Sequence, residues 1–350
     1  MIWLEDLGKG EPIMSGKLVL AQDHLDKIMF GEVVPPDFSM NFPAKQVETQ
    51  LSWNDLVINS DLQEQISMIL SWVFYNEELM VKMGMKKRLK KGFRTLFYGP
   101  PGTGKTLTAG LLGNITGRPV YRIDLSMVVS KYIGETEKNL EQLFARAEDK
   151  GWILFFDEAD AIFGKRTGIR DAHDKYANQE VSYLLQRIED YNGLIIMATN
   201  MRSNIDESFI RRFNSMLRFP FPDEENRSKI WERSLPKDIP WKDEPPLPPY
   251  HHDQVKEANI PEEVKKYELS GGNIVNVIHY AALKAAEAYN QQRIYIKSKT
   301  SVPGPEMPEA EYCEEPLESE GQEPALAIYL SDVLDGIRRE LIKEGKPFAL

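Results

Sequence analysis

The stretch "YGPPGTGKTLT" constrains this chain more than any other. It follows an apolar run and opens a helical pattern, and it fits G-x-x-x-x-G-K-[ST] through Gly99, Gly104, Lys105 and Thr106. A glycine-rich turn between a strand and a helix lets main-chain N–H groups close around phosphate oxygens, and the helix N-terminus adds its partial positive charge. Lys105 would reach the β- and γ-phosphates, and Thr106 would ligate Mg²⁺ through its hydroxyl. The residues expected to touch the bound nucleotide are Pro101, Gly102, Thr103, Gly104, Lys105, Thr106 and Leu107.

A matching acidic strand downstream argues against a fortuitous glycine-rich turn. In "WILFFDEADAIF", four apolar residues, Ile153 to Phe156, deliver Asp157 and Glu158 to the carboxyl end of a buried strand. Ligands bind there in open α/β sheets. Asp157 suits the Mg²⁺ shell through water, and Glu158 is placed to polarise the attacking water. The next strand, "LIIMATN", ends in Asn200, whose neutral amide would orient that water or touch the γ-phosphate.

From about Leu51 to Pro222 apolar strands alternate with helical patterns, the signature of a parallel sheet with crossover helices. The strand candidates are "TLFYG", "VYRID", "WILFFD", "LIIMATN" and "MLRFPF". Residues 1–50 read as a leader with one amphipathic stretch, "KLVLAQDHLDKIMF". Residues 223–350 read as a mainly helical domain. Its last helix is "LSDVLDGIRRELIKEG", with Leu330, Val333, Leu334, Ile337 and Leu341 at helical spacing, Ser331 or Asp332 as cap, and Gly345 with Pro347 as stop. An acidic, proline-rich segment at about 301–326 interrupts this domain and reads as a disordered insertion.

Charge narrows the partners. The formal charge is −11, but the eight glutamates between Pro303 and Pro324 account for most of it, and without them it is −3. A near-neutral body argues against a nucleic-acid surface. The basic run "MKKRLKK" (Met85 to Lys91) reads as a solvated turn before a strand. No apolar run approaches the roughly 18–20 residues of a spanning helix, and no secretory signal is visible at the start. Cys313 is the only cysteine, so no internal disulfide forms, as expected of a cytoplasmic protein.

These pieces, in this order, resemble the AAA+ ATPases, and more narrowly the branch that remodels proteins. The resemblance covers roughly residues 51–290 and the final helix. It implies an α/β fold: a P-loop parallel sheet with crossover helices over 51–222, then a small helical lid. It also implies ATP and Mg²⁺ as ligands, a ring of identical subunits (a hexamer in this family) and a protein substrate. By the same resemblance Asn200 is the sensor. "FIRRF" places Arg211 and Arg212 where that branch carries arginines acting on the neighbouring subunit's ATP. "LSGGNIVNVIHYAALKAA" resembles the start of the lid helix, with Gly271 and Gly272 near adenine and ribose. Asn273 stands where many relatives have an arginine. "LSWNDLVI" resembles the segment beside the adenine, with Val57 and Ile58 as contacts.

"SKYIGETEKN" resembles the aromatic pore loop of that branch, in which Lys131, Tyr132 and Ile133 would face a central channel and Tyr132 would grip a threaded polypeptide. Gly164 to Asn178 resembles a second pore loop, with His173 a loop or interface residue. The wording of "SKYIGETEKNL" and "KYANQEVSYLLQRIEDYNGL" is also similar to bacterial single-ring ATPases, some of them associated with phage-tail-like contractile injection systems. Two other functions share the ATP chemistry. A nucleic-acid motor or loader predicts a basic channel, and an ATP-dependent assembly factor without threading predicts that Tyr132 is dispensable.

Overall fold

The computed structural model describes residues 2–4, 18–20, 25, 28–31, 36, 42–125, 135–148, 150–160, 172–202, 205, 207–236, 239, 241–242, 262–300 and 326–347. The chain begins with an antiparallel ribbon of β1 (Ile2–Leu4) and β2 (Leu18–Leu20), the latter at the start of the amphipathic stretch. It then contributes an edge strand, β3 (Ala44–Gln46), to the central sheet. Sequence reading does not anticipate that strand: three residues of "AKQ" carry no alternation to detect. Burial of Phe42 and Ala44 and antiparallel pairing with Tyr121–Ile123 hold it in place.

The five apolar segments expected as strands form β4 (Phe93–Tyr98), β5 (Val120–Ile123), β6 (Ile153–Phe156), β7 (Leu194–Thr199) and β8 (Ser215–Arg218). The six-stranded order is β3-β5-β6-β7-β4-β8, and every pairing except that of β3 is parallel. A parallel sheet needs helices on both faces, so its strands are buried on both sides. All residues of β6 and β7 are buried accordingly. Period-two geometry divides them between two cores. Ile153 and Phe155 join Leu194, Ile196 and Ala198 on one face, and Leu154 and Phe156 join Ile195 and Met197 on the other.

Helices cover both faces. α1 (Ser60–Val81) packs Leu62, Ile66, Ile69 and Val73 on the first core, beside Ala109 and Leu112 of α2 (Lys105–Thr116). Asn59 starts α1 by accepting the Leu62 N–H at 3.0 Å. On the other face lie α3 (Glu135–Ala147), with Leu140, Leu143 and Phe144, and α4 (Ala172–Asp190), with Leu184, Leu185 and Ile188. Residues 172–178, read from sequence as part of a loop, belong to α4. Lys131, Tyr132 and Ile133, residues 164–171 and the acidic segment from Pro303 to Pro324 lie outside the described residues.

After α5 (Glu207–Ile210) and β8 the chain turns helical, with α6 (Glu224–Ser234), α7 (Glu262–Lys265), α8 (Gly271–Thr300) and α9 (Leu330–Lys343). They share a separate core around Trp231, Leu269, Ile274, Val277, Val333 and Ile337. Two residues each of β9 (Trp241–Lys242) and β10 (Ile328–Tyr329) pair in parallel beside it. The expected capping of α9 is corrected. Tyr329, not Ser331 or Asp332, is its N-cap, and it makes no side-chain cap bond. β10 runs straight into the helix, so Ser331 and Asp332 fall inside the first turn. Among the described residues no helix is long and apolar enough to cross a membrane.

α8 and α9 cross closely at Gly336, where a Cβ would stand 3.0 Å from Val277 Cγ1 and 3.3 Å from Tyr280 Cδ1. A Gly336→Leu substitution should overpack this crossing and cost about 1–3 kcal/mol. A urea melt should show the lower midpoint, and an unchanged one would show that the helices yield without cost.

Candidate active site

The carboxyl ends of β4, β6 and β7 adjoin one cavity of about 920 Å³, within the usual range of small-molecule sites. Fourteen residues expected from sequence line it: Val57, Ile58, Pro101, Gly102, Thr103, Gly104, Lys105, Thr106, Leu107, Asp157, Glu158, Asn200, Gly271 and Gly272. The strand order explains the convergence. From β4 the chain passes through α2 to β5, beyond both β7 and β6, so the loop leaving β4 opens beside the ends of its neighbours.

Gly102 and Gly104 have φ of +72° and +96°, values that side-chain-bearing residues avoid, and Lys105 begins α2 at once. The Lys105 ammonium is buried. It donates to Gly99 O at 2.7 Å, Pro100 O at 2.9 Å and Asn200 Oδ1 at 2.9 Å. Desolvation lowers its pKa below the ordinary lysine value, against the opposing pull of Asp157 and Asp160. Burial thus disfavours the charged form here, and three acceptors and two nearby carboxylates offset that penalty in part.

Asp157 and Glu158 both line the cavity, and their backbones differ. Glu158 is the one non-glycine residue with positive φ among the described residues, at +52°. Its N–H donates to Asp157 Oδ1 at 3.0 Å. A side-chain-bearing residue in this sparsely populated region carries a local backbone cost. Thr106 and Asp157 offer oxygen donors of the kind Mg²⁺ prefers, so the residues present fit that ion.

Sequence reasoning missed several residues around this cavity. Arg122, on β5, lies 3.4 Å from Asp157 Oδ2, and its only sequence signal is a charge inside an apolar strand. Asp160 Oδ1 accepts the Thr199 hydroxyl at 2.9 Å, joining the ends of β6 and β7. Arg233 of α6 donates to Leu56 O at 3.1 Å across 177 positions, anchoring the wall that carries Val57 and Ile58. Gly272, expected from sequence, meets the glycine-rich loop itself, donating its N–H to Gly102 O at 2.9 Å. Arg211 and Arg212 are not part of the cavity. Both are exposed on the turn after α5, and Arg212 pairs with Glu189 at 2.5 Å.

Residues 95–221 match the family described as ATPase family associated with various cellular activities (AAA). An uncharacterized AAA family ATPase of Sinorhizobium fredii is 32% identical over 192 residues, covering 54% of this chain and 55% of that protein. The proteasome-activating nucleotidase of Methanopyrus kandleri is 32% identical over 213 residues, covering 57% of this chain and 47% of its own. A 26S proteasome regulatory subunit 7 homolog of Schizosaccharomyces pombe is 30% identical over 222 residues, covering 59% and 50%. The chain thus spans about half the length of these curated relatives.

The strained backbone of Glu158 can be isolated from its chemistry. Glu158→Gly and Glu158→Ala both remove the carboxylate, but only glycine adopts φ +52° without cost. Glu158→Gly should be the more stable of the two by about 1 kcal/mol, read from denaturant melts. Equal stabilities would mean that this backbone is relaxed.

Proposed function

We propose that the chain is an ATP-hydrolysing, ring-forming remodeller of proteins, a reading supported by the match of residues 95–221 to the AAA ATPase family. The observation that carries this reading is the convergence of Lys105, Thr106, Asp157, Glu158 and Asn200 on one cavity at the carboxyl ends of three adjacent strands. The names of the relatives from Methanopyrus kandleri and Schizosaccharomyces pombe support the choice of proteins as substrates.

In this reading each side chain has one task. The loop N–H groups and Lys105 hold the triphosphate, and the released Lys105 exchanges its carbonyl partners for phosphate oxygens. Thr106, and Asp157 through water, would hold Mg²⁺, which would supply charge neutralisation on the phosphates. Glu158 orients and polarises a water, and Asn200, bonded to Lys105 before nucleotide enters, aligns that water against the γ-phosphate. Leu56, Val57, Ile58, Ile230 and Val275 form the apolar wall for the base. Arg211 and Arg212, standing outside their own cavity, act on the ATP of the adjacent subunit in a homohexamer. Lys131, Tyr132 and Ile133 line its channel and grip polypeptide.

Lys105→Ala should abolish nucleotide binding, whereas Glu158→Gln should bind ATP and lose on the order of 10²–10⁴-fold in turnover. Equilibrium binding and phosphate release separate the two, and near-normal turnover in Glu158→Gln would remove the assignment.

Tyr132→Ala should keep basal hydrolysis, since Lys105, Thr106, Asp157 and Glu158 carry the ATP chemistry in this reading, and should lose substrate-stimulated hydrolysis and remodelling. Tyr132→Phe should retain most of both, because the grip needs a flat apolar surface. A stable alanine variant that remodels normally would favour the assembly factor without threading.

A further inference from the structure

We propose that the carboxyl-terminal turn of α9 is a latch on the nucleotide site, in which Glu344 and Lys346 hold the start of α8 against the phosphate loop and so act as positioning residues for ATP binding. The inference rests on the cavity being a nucleoside triphosphate site.

α9 ends in a closure that reverses the chain. Gly345 has φ +68°, its N–H donates to Ile342 O at 3.0 Å, and the Lys346 N–H donates to Leu341 O at 2.9 Å. This paired pattern needs a residue free to adopt positive φ, and it folds the following residue back over the last turn. Glu344 and Lys346 consequently meet. Glu344 Oε2 accepts from Lys346 Nζ at 2.8 Å, and Glu344 Oε1 accepts from Asn273 Nδ2 at 2.7 Å. The Lys346 ammonium also stands 5.4 Å from the centre of the Phe221 ring, which lines the cavity. One short turn thus touches both the first turn of α8 and the loop after β8.

The contacts continue to the phosphate loop. Ser270 Oγ caps α8 by accepting the Asn273 N–H at 3.2 Å, and the Ser270 hydroxyl donates in turn to Asn273 Oδ1. Ser270 is buried in the space that a side chain on Gly102 would need. Gly272 donates its N–H to Gly102 O at 2.9 Å. Asn273 therefore spends its amide nitrogen on Glu344 and its amide oxygen on the Ser270 hydroxyl, so one rotamer serves both contacts. Lys346, and after it Asn273, hold the Glu344 carboxyl below its ordinary pKa, while partial desolvation works the other way.

Each exposed link is weak alone. Joined in series, they pre-organise Gly102 in the loop that must close around phosphate, which lowers the ordering cost of binding. None of these side chains lines the part of the cavity that holds the reacting phosphate, so affinity should respond and the chemical step should not.

The test measures ATP dissociation constants and kcat on the whole chain, with the melting temperature recorded for each variant. Glu344→Ala and Asn273→Ala should each weaken ATP binding about three- to tenfold and leave kcat within about twofold. The double variant should be no weaker than the weaker single, since both break one series. Glu344→Gln keeps an acceptor for Asn273 and loses the Lys346 charge, so it should fall between wild type and Glu344→Ala. Should Glu344→Ala melt early, Glu344→Gln carries the comparison. Unchanged affinities in folded variants, additive losses in the double variant, or equal falls in kcat would overturn the latch. If the folded wild type binds no ATP, the reading of the cavity fails with it. If wild type binds ATP and the variants bind equally well, only the latch fails.

Discussion

A parallel sheet buried on both faces has one place left for chemistry. β6 and β7 are covered along their whole length, so polar side chains can emerge only where the strands end. Asp157, Glu158 and Asn200 are the first residues beyond those ends, and the phosphate loop is the first turn beyond β4. The site depends on that burial: the apolar strands are rigid because both cores grip alternate residues, and the rigidity carries the side chains at their tips.

The site is also where the protein accepts local cost. Lys105 keeps a charge in a place that disfavours it, and Glu158 keeps a backbone angle that disfavours side chains. The Lys105 penalty comes from burial, and next to Glu158 the Ala159 N–H donates to Ala198 O at 2.9 Å, joining the ends of β6 and β7. The ion pair of Arg122 with Asp157 and the bond of Thr199 to Asp160 tie the ends of β5, β6 and β7 together around these residues.

The helical part contributes walls to the cavity. Arg233 holds the segment before α1, Gly272 holds the phosphate loop, and the end of α9 holds the start of α8. Three chain regions far apart in sequence therefore meet around one cavity.

The sequence by itself determined the five parallel strands of the sheet, the glycine-rich loop after β4 and the acidic pair, because each is a local pattern. A run of four apolar residues, a glycine-lysine-threonine turn and two acids after a strand are legible within a dozen positions. Val57, Ile58 and Gly272 were reachable only through a family resemblance, since nothing local distinguishes them. Tertiary structure alone decided the edge strand Ala44–Gln46, the capping of α9 at Tyr329, the withdrawal of Lys105 into loop carbonyls and the pairing of Arg212 with Glu189. It also decided the bond between Asn273 and Glu344, 71 positions apart. The physical reason is that periodicity and special backbone angles are properties of neighbouring residues. Which distant polar groups share a hydrogen bond depends on how the sheet and helices close on one another, and no short window of sequence carries that information.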